Sequence, residues 1–223
     1  MWFLFYFSVL CAFSAASAAP CFASFNNATL LETPCYKVTK RHTSPEGSLE
    51  LREYTGTEAI LVEMNASATI TTYQEALIMT SFYIIDYFEG QGNSLNKSLL
   101  SSRTVPYTLH PPTSSRNFWL GRMALAPSKW PAHSAPPGAI PPVDLAPLGK
   151  GNTFLLASLR KQFQEYPQPS DFETLCASLT SSLGQLGATL DPDSVYSPSH
   201  AYYFGEGNLN AFDSECWVGV KAA

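Results

Sequence analysis

The sequence predicts an α+β fold in which a largely antiparallel sheet carries two helices. Segments that alternate apolar and polar residues indicate strands, and they occur before, between and after two stretches of helical periodicity. The order is strands, helix and strands, followed by a strand, a second helix and strands. The chain therefore reads as two similar halves, an order that is typical of helices packed onto one sheet.

The first helix is predicted to start at Thr72 and to end at Gly90. Thr72 and Glu75 have the spacing of a capping box, and Gly90 can adopt the left-handed conformation that ends helices. At 3.6 residues per turn, one arc of this helix forms a core stripe. That stripe consists of Tyr73, Ala76, Leu77, Thr80, Ile84, Tyr87 and Phe88.

The opposite arc of this helix is unusual because apolar residues interrupt its polar side chains. The polar members are Gln74, Glu75, Asp86 and Glu89, and the apolar members are Ile78, Met79, Phe82 and Ile85. Either another layer or loop covers this second apolar face, or the face lines a site for an apolar ligand or a partner. The run is too short to span a bilayer, which requires roughly 20 apolar residues.

Strands are predicted on both sides of the first helix. Residues 36–40 and 49–54 alternate around a turn at 44–47 that contains Pro45 and Gly47, and 57–64 leads into the helix. Residues 103–109 and 117–125 read as the strands that follow it. The proline-dense segment 129–148 is predicted to be a stiff connecting loop, with recognition by a proline-binding domain as the alternative.

The second half repeats this order. Residues 152–163 form a strand region, and Ser170 and Glu173 have the spacing of a capping box. The helix that they start has a stripe of Phe172, Leu175, Leu179, Leu183 and Leu186, and Gly187 is expected to stop it. Residues 201–204 and 216–221 are predicted to be closing strands joined by a loop.

The N-terminus predicts secretion. An apolar block over residues 2–13 is followed by small residues at 16–18, as in a signal peptide cleaved after Ala18. We therefore expect a signal peptide at 1–18, an N-terminal extension at 19–34 and one domain at 35–223, released to the outside of the cell without an anchor. The net charge of −5 is mild and basic residues do not cluster, so nucleic acid is not an expected partner.

Cysteines and glycosylation motifs agree with this compartment. Four cysteines remain after the signal peptide, and an even number in a secreted chain favours two disulfides. They are Cys21, Cys35, Cys176 and Cys216, and three pairings are open. N-glycosylation motifs begin at Asn27, Asn65 and Asn96.

A set of short motifs spread along the chain resembles the SOUL haem-binding family. The motifs are Tyr36-x-Val38, Leu49-Glu50-Leu51-Arg52-Glu53-Tyr54, Tyr87-Phe88-Glu89-Gly90 with Asn93, Thr104-Val105-Pro106, Ala135-Pro136-Pro137, Tyr202-Tyr203 and Glu215-Cys216-Trp217 with Val220. The resemblance covers residues 36–220, and it is carried by the order and spacing of the motifs.

This resemblance implies a distorted antiparallel β-barrel of two βαββ-like halves with two helices packed on it. It also implies that haem or another tetrapyrrole binds in an apolar groove beside the first helix, where Ile78, Met79, Phe82 and Ile85 lie. The chain departs from relatives that carry basic residues here, because Ile78 and Asp86 occupy the matching positions. Residues 210–215 likewise replace a basic cluster, so the haem propionates would lose charged partners.

No catalytic motif was found, and we expect the protein not to be an enzyme. The sequence lacks H-E-x-x-H, G-x-S-x-G, a P-loop and a dinucleotide fingerprint. His42, His110, His133 and His200 show no paired spacing, so no metal site or axial ligand is predicted, although Met79 is a possible soft ligand. The sequence thus favours a secreted haem or tetrapyrrole carrier. The alternatives are a protein of the same fold that binds another hydrophobic ligand or a protein partner and, less favoured, a hydrolase.

Overall fold

The computed structural model describes residues 21–25, 29–33, 36–55, 60–67, 69–100, 105–125, 137–147, 153–165, 167–194, 196, 198–205 and 208–223. The predicted signal peptide, Cys35 and His133 lie outside these residues, as do the side chains of Cys21 and Asn27. No helix in the described part of the chain is long and apolar enough to cross a bilayer.

Twelve strands and two α-helices form the described part of the fold. The first-half elements are β1 (Cys21–Phe25), β2 (Thr29–Thr33), β3 (Tyr36–Ser44), β4 (Gly47–Thr55), β5 (Ile60–Ala66), α1 (Tyr73–Glu89), β6 (Val105–His110), β7 (Trp119–Ala124) and β8 (Val143–Pro147). The second-half elements are β9 (Thr153–Gln162), α2 (Pro169–Ser181), a 3₁₀ turn (Leu183–Leu186), β10 (Ala188–Leu190), β11 (Ser199–Gly205) and β12 (Asn208–Ala222).

Ten of these strands form one antiparallel sheet, and β1 and β2 form a separate hairpin. The hydrogen-bonded path of the sheet runs β3-β4-β9-β12-β11-β6-β7-β5-β8, and β10 pairs with β12. The predicted α+β class, with an antiparallel sheet and two helices, is confirmed. The described strands contain no ladder that joins the two ends of the path, β3 and β8, so closure into a barrel is not seen among them.

The sheet is built from two halves with the same connectivity. In β5-α1-β6-β7 the first strand pairs with the third, and the third pairs with the second. In β9-α2-β11-β12 the same pairings recur, with β9 on β12 and β12 on β11. The halves meet where β6 pairs with β11, which sets Tyr107 opposite Tyr202. Each half therefore has one helix that packs on the strands of the same half.

The two helices pack on one side of the strands that they follow. Under α1, the core includes Val62 and Met64 from β5 and Tyr107 from β6. Under α2, the core includes Leu51 from β4 and Val218 from β12. Side chains alternate along a strand, so the neighbours of these residues point to the other face.

That other face, which we call the helix-free face, has a third buried cluster. Its members are Tyr54, Leu61, Ala124, Leu156, Tyr196, Ala201 and Trp217. Leu61 precedes Val62 on β5, and Trp217 precedes Val218 on β12, so the period of two places these neighbours in different clusters. The sheet is consequently buried on both faces.

Gly121 on β7 lets α1 lie close to the sheet. A Cβ at this position would collide with the Tyr107 hydroxyl and the Cβ of Thr80. Thr80 projects from α1 and is hydrogen bonded to the hydroxyl of Tyr107 on β6. The missing side chain at Gly121 therefore makes room for a polar contact in an otherwise apolar interface.

Four sequence predictions of element boundaries were wrong. The second helix, predicted to run to Gly187, ends at Ser181, and a separate 3₁₀ turn over Leu183–Leu186 precedes Gly187. The helix α2 begins at Pro169 with Gln168 as its N-cap, and the Gln168 amide donates to the Asp171 carboxylate over 2.7 Å, so the capping residues are not Ser170 and Glu173. The predicted loop 129–148 contains the strand β8. The predicted loop before residue 216 is largely part of β12, which is 15 residues long.

Candidate ligand-binding site

The helix α1 has the boundaries that its capping residues dictate. The Thr72 hydroxyl accepts a hydrogen bond from the Glu75 amide over 3.2 Å, and Gly90 ends the helix with a φ of 105°. All members of the predicted core stripe are buried except Tyr73, which is partly buried. Because the stripe is anchored in this way, the rotation of α1 about its axis is fixed and its opposite face points away from the sheet.

Three large apolar side chains on that opposite face are exposed. Ile78 is 57% exposed, Met79 is 42% exposed and Phe82 is 60% exposed. Ile85, the fourth residue of the predicted site, is half-buried and packs against the core under α1. The face therefore projects three of the four predicted residues into solvent, and we call Ile78, Met79 and Phe82 the outer apolar face.

Further apolar exposure occurs at the C-terminal end of α1. Leu95 is 44% exposed and Ile140 is 47% exposed. The segment that carries Ile140 is fixed against the helix end, because the Ile140 amide donates to the Gly92 carbonyl over 2.9 Å. The Tyr87 hydroxyl also donates to the Pro137 carbonyl over 2.9 Å. The end of the Pro-rich segment is thus docked on α1.

Charge near the outer apolar face is acidic. The helix contains Glu75, Asp86 and Glu89, and no Lys, Arg or His occurs within Tyr73–Glu89. The helix therefore lacks the basic residues that some members of the SOUL family carry at this position. A ligand that binds here gains mainly from the burial of apolar surface, since α1 supplies no cation for a carboxylate.

None of the described histidines lies on the outer apolar face. His42 is exposed on β3, at the far end of the sheet path from the strands that carry α1. His110 and His200 are buried on β6 and β11. Within the described residues, no group of three or more His, Cys, Asp or Glu side chains has the arrangement of a metal site. Met79 is the exposed side chain of this face that has a ligating atom.

His200 is instead part of an aromatic junction between the two helices. Its ring lies 4.8 Å from that of Tyr73 on α1 and 4.5 Å from that of Phe172 on α2, measured between centroids. Its Nδ1 is hydrogen bonded to the Tyr73 hydroxyl. Burial lowers the pKa of His200 to about 3, although a backbone hydrogen bond with Phe172 acts in the opposite direction. The imidazole is therefore neutral at physiological pH and serves packing.

A separate recess opens on the helix-free face and has a volume of about 550 Å³. Strands β5 and β7, the turn between β6 and β7, and the segment after β10 surround it. The residues that matter chemically are Glu63, Asn65, Arg116, Arg122, Asp191 and Tyr196. Sequence reasoning missed this recess, because the residues are spread from Glu63 to Tyr196 along the chain and form no local motif.

A separate group of buried charges, beside Trp217 on the helix-free face, is paired. Arg52 donates to both carboxylate oxygens of Glu215, over 2.7 and 2.9 Å, and to Glu50 over 2.9 Å. Burial alone would raise the pKa of Glu215, but Arg52 lowers it below its ordinary value. The charges of Arg52, Glu50 and Glu215 are thus compensated by one another, and the cluster is a structural ion-pair network.

The structure describes some of the residues predicted to form disulfides or to carry glycans. The sulfurs of Cys176 on α2 and Cys216 on β12 lie 2.00 Å apart, which is the distance of a disulfide bond. Asn65 and Asn96 are exposed, as a glycan would require. The side chains of Cys21, Cys35 and Asn27 lie outside the described residues.

Comparison with solved structures yields remote likenesses, among them three that cover most of this chain. No protein-family model and no curated protein matches the chain. A protein from Staphylococcus aureus MU50, described as a bacterial transcription regulation protein, is 12% identical over 79% of this chain and 99% of its own, with a TM-score of 0.41. A hydrolase from Listeria innocua is 9% identical over 77% of this chain and 91% of its own, with a TM-score of 0.42.

A third structure, of the protein SAV2435 bound to tetraphenylphosphonium, is 14% identical over 77% of this chain and 94% of its own. Its TM-score is 0.38. At this distance none of the three carries an argument about this chain, and the site must be interpreted from its own residues.

Proposed function

We propose that this protein is a secreted, non-enzymatic carrier or scavenger that binds an apolar small molecule on the outer apolar face of α1. Haem or another tetrapyrrole is the ligand class that the resemblance to the SOUL family implies. The single observation that carries the proposal is the exposure of Ile78, Met79 and Phe82 on one face of a well-anchored helix. The cysteine pair at disulfide distance supports an oxidising compartment.

The free energy of burying apolar side chains favours a binding role for this face. Fully burying a large apolar side chain contributes about 1.5–3 kcal/mol, and three such side chains on one helix face leave that free energy available to a ligand. A planar tetrapyrrole suits a face of this kind, because its ring can cover several side chains at once. Its propionates would remain in solvent, since α1 has no basic residue.

The first test is a haem titration of the secreted protein, followed at the Soret band. We expect a saturable shift for the wild type and a loss of affinity of about ten- to a hundredfold for Phe82→Asp, from the apolar contact removed. Gln74→Asp is the matched control, because Gln74 is exposed on the same helix and its change adds the same charge. Since Phe82 is exposed, both variants should retain the wild-type melting temperature.

Equal haem affinity in wild type and Phe82→Asp would overturn this site. Unfolding of Phe82→Asp would show instead that another part of the chain covers the face. A shift to Met-type ligation spectra that disappears in Met79→Leu would identify Met79 as the axial ligand.

A second candidate is a protein of the same fold that binds a different hydrophobic ligand or a protein partner. The observation that favours it is the acidic charge of α1 and the absence of a described histidine near the face. It predicts no Soret shift with haem but binding of a neutral apolar probe, N-phenyl-1-naphthylamine, that Phe82→Asp abolishes. Retention of probe binding in that variant would count against the face as a site of either kind.

A further inference from the structure

The charges that line the recess on the helix-free face are balanced. Arg122 Nε lies 2.6 Å from Glu63 Oε1, and the side chains of both residues are at most 18% exposed. Asp191 Oδ1 lies 3.9 Å from Lys221 Nζ. Arg116 is the remaining charged residue among the described members of the lining, which thus contains two acids and two arginines. This composition favours a neutral polar ligand over an anion or a cation.

Polar groups with remaining hydrogen-bonding capacity line the same recess. The hydroxyls of Thr113 and Ser115 are hydrogen bonded to each other over 3.1 Å, and a hydroxyl can both donate and accept. The Asp191 side chain is 31% exposed and accepts from the Asp193 amide over 3.1 Å, so its carboxylate has further lone pairs available. Such donors and acceptors match a ligand that is covered with hydroxyl groups.

Apolar surface completes the lining of the recess. Leu190 is 45% exposed and Phe118 is partly buried, and both line the recess. The volume of about 550 Å³ lies within the range of about 300–1,000 Å³ that is usual for small-molecule sites. A pyranose ring presents C–H groups on its faces and hydroxyl groups around its edge. It therefore matches a recess in which apolar side chains and hydrogen-bonding groups occur together.

One wall of the recess carries an N-glycosylation motif. Asn65 on β5 is exposed and lines the recess, and Ala66 and Ser67 complete the triplet. Strand β8 pairs with β5 only as far as Met64, so Asn65 lies just beyond that ladder. On its other side Asn65 is opposite Leu120 of β7, which also lines the recess. A sugar attached to the Asn65 amide would therefore begin at the recess.

We infer that the recess is the seat of an N-linked glycan attached to Asn65. The first N-acetylglucosamine residues pack against Phe118 and Leu190 and form hydrogen bonds with the polar side chains of the lining. In this modification the Asn65 side-chain nitrogen bonds to C1 of the sugar and loses a proton, and the bond from C1 to the diphosphate oxygen of a lipid-linked donor breaks. The inference rests on the secreted location that the proposed function includes.

The covalent link makes weak contacts sufficient to hold the sugar. A group on a short tether has an effective concentration of about the millimolar range, so it occupies a site that the free sugar would leave largely empty. The seat is separate from the outer apolar face. Glu63 and Arg122, which line it, alternate along their strands with Val62 and Met123, which pack under α1. A glycan in the recess therefore leaves the outer apolar face open.

The test is the release of glycans from the folded, secreted protein by peptide N-glycosidase F, followed at each site by mass spectrometry. This enzyme cleaves the bond between Asn and the first sugar, so a seated sugar is protected. We expect release from Asn65 to be about tenfold slower than from Asn96, the effect of a net stabilisation equal to about one hydrogen bond. Asn96 is exposed and does not line the recess. After denaturation the two rates should converge.

Variants of the recess separate protection by the seat from hindrance by the strand. Leu190→Ser and Phe118→Ser remove apolar cover from the sugar, and each should accelerate release from Asn65 towards the rate of the denatured protein. Ile140→Ser is the matched control. Ile140 is 47% exposed, close to the value for Leu190, but it lies at the C-terminal end of α1. Its substitution should leave the rate at Asn65 unchanged.

Three outcomes would overturn the inference. One is a secreted protein that carries a glycan at Asn96 and none at Asn65. Another is equal release from Asn65 and Asn96 in the folded state. The third is slow release from Asn65 that neither recess variant accelerates, because the strand would then hinder the enzyme. A protein without any glycan would overturn the secreted location as well, whereas ligand binding on α1 is decided separately by the haem titration.

Discussion

The two buried histidines show how single residues in this fold are tuned by their surroundings. His200 lies between two aromatic rings, and its Nδ1 is hydrogen bonded to the Tyr73 hydroxyl. The pKa of His110 is affected by the charges of Arg122 and Arg116. In both cases burial lowers the pKa below the ordinary value for histidine. Neither residue was distinguishable from the exposed His42 by sequence spacing, since burial depends on which strands are neighbours.

A loss of stability in mild acid follows from His200. The folded pKa of His200 is about 3 and its unfolded value is about 6.5, so the unfolded state binds the proton first as the pH falls. The contribution of His200 to stability is therefore fully present above pH 6.5 and declines between about pH 6.5 and 3, by about 1.4 kcal/mol per pH unit.

Urea unfolding at pH 7 and pH 5 tests this expectation. His200→Gln should show a smaller loss of stability between the two values than the wild type, because it removes one titrating group. His42→Gln should behave like the wild type, as His42 is exposed. Identical losses in all three proteins would contradict a buried neutral His200.

At the scale of elements, helix faces were predictable and helix starts were less so. The stripe of α1 follows from the 3.6-residue period, and Thr72 and Gly90 supply local capping chemistry that the sequence states directly. For α2, the sequence indicated a start at Ser170, whereas Gln168 is the N-cap in the structure. The Asp171 carboxylate holds the Gln168 amide, and Pro169 at the first turn needs no amide partner.

Strand β8 was missed for a related reason. The prolines of the segment 129–148 argued for a loop, but β8, which ends in Pro147, lies at the end of the sheet path, where one side of the strand is not paired with another described strand. Proline is tolerated on such edge strands because its missing amide costs no ladder hydrogen bond there. Sequence alone did not reveal that the segment would reach an edge.

The Cys176–Cys216 pair joins α2 to β12 and should stabilise their packing. The two residues are 40 positions apart, and closing a loop of this size stabilises a protein by about 4 kcal/mol in the chain-entropy model. The double variant Cys176→Ala and Cys216→Ala should therefore unfold at a markedly lower urea concentration than the wild type under oxidising conditions. An unchanged midpoint would mean that the pair does not form a bond in solution.

At the scale of the whole molecule, connectivity determines where ligands can bind. The repeated strand–helix–strand–strand order was readable from the alternation of sequence periods, and it places both helices on one face. The outer apolar face of α1 could be predicted because it is contained within one helix. The pocket on the helix-free face could not, because Glu63, Arg116 and Asp191 come together only through strand order.

Closure of the sheet was implied by family resemblance and involves contacts between the first and last strands of the path. Such contacts are the least local in the chain, and no pattern in either strand specifies them. The described strands leave β3 and β8 as the two ends of the sheet.

The most direct measurement of the central claim is a methyl NMR spectrum of the secreted protein during addition of zinc protoporphyrin. The ring current of the bound macrocycle should shift the methyl signals of Ile78 and Met79 on the outer apolar face. Ile84, which is fully buried on the opposite side of the same helix, should shift far less. Saturable binding that leaves Ile78 and Met79 unchanged, or the absence of binding by any apolar ligand, would contradict the account.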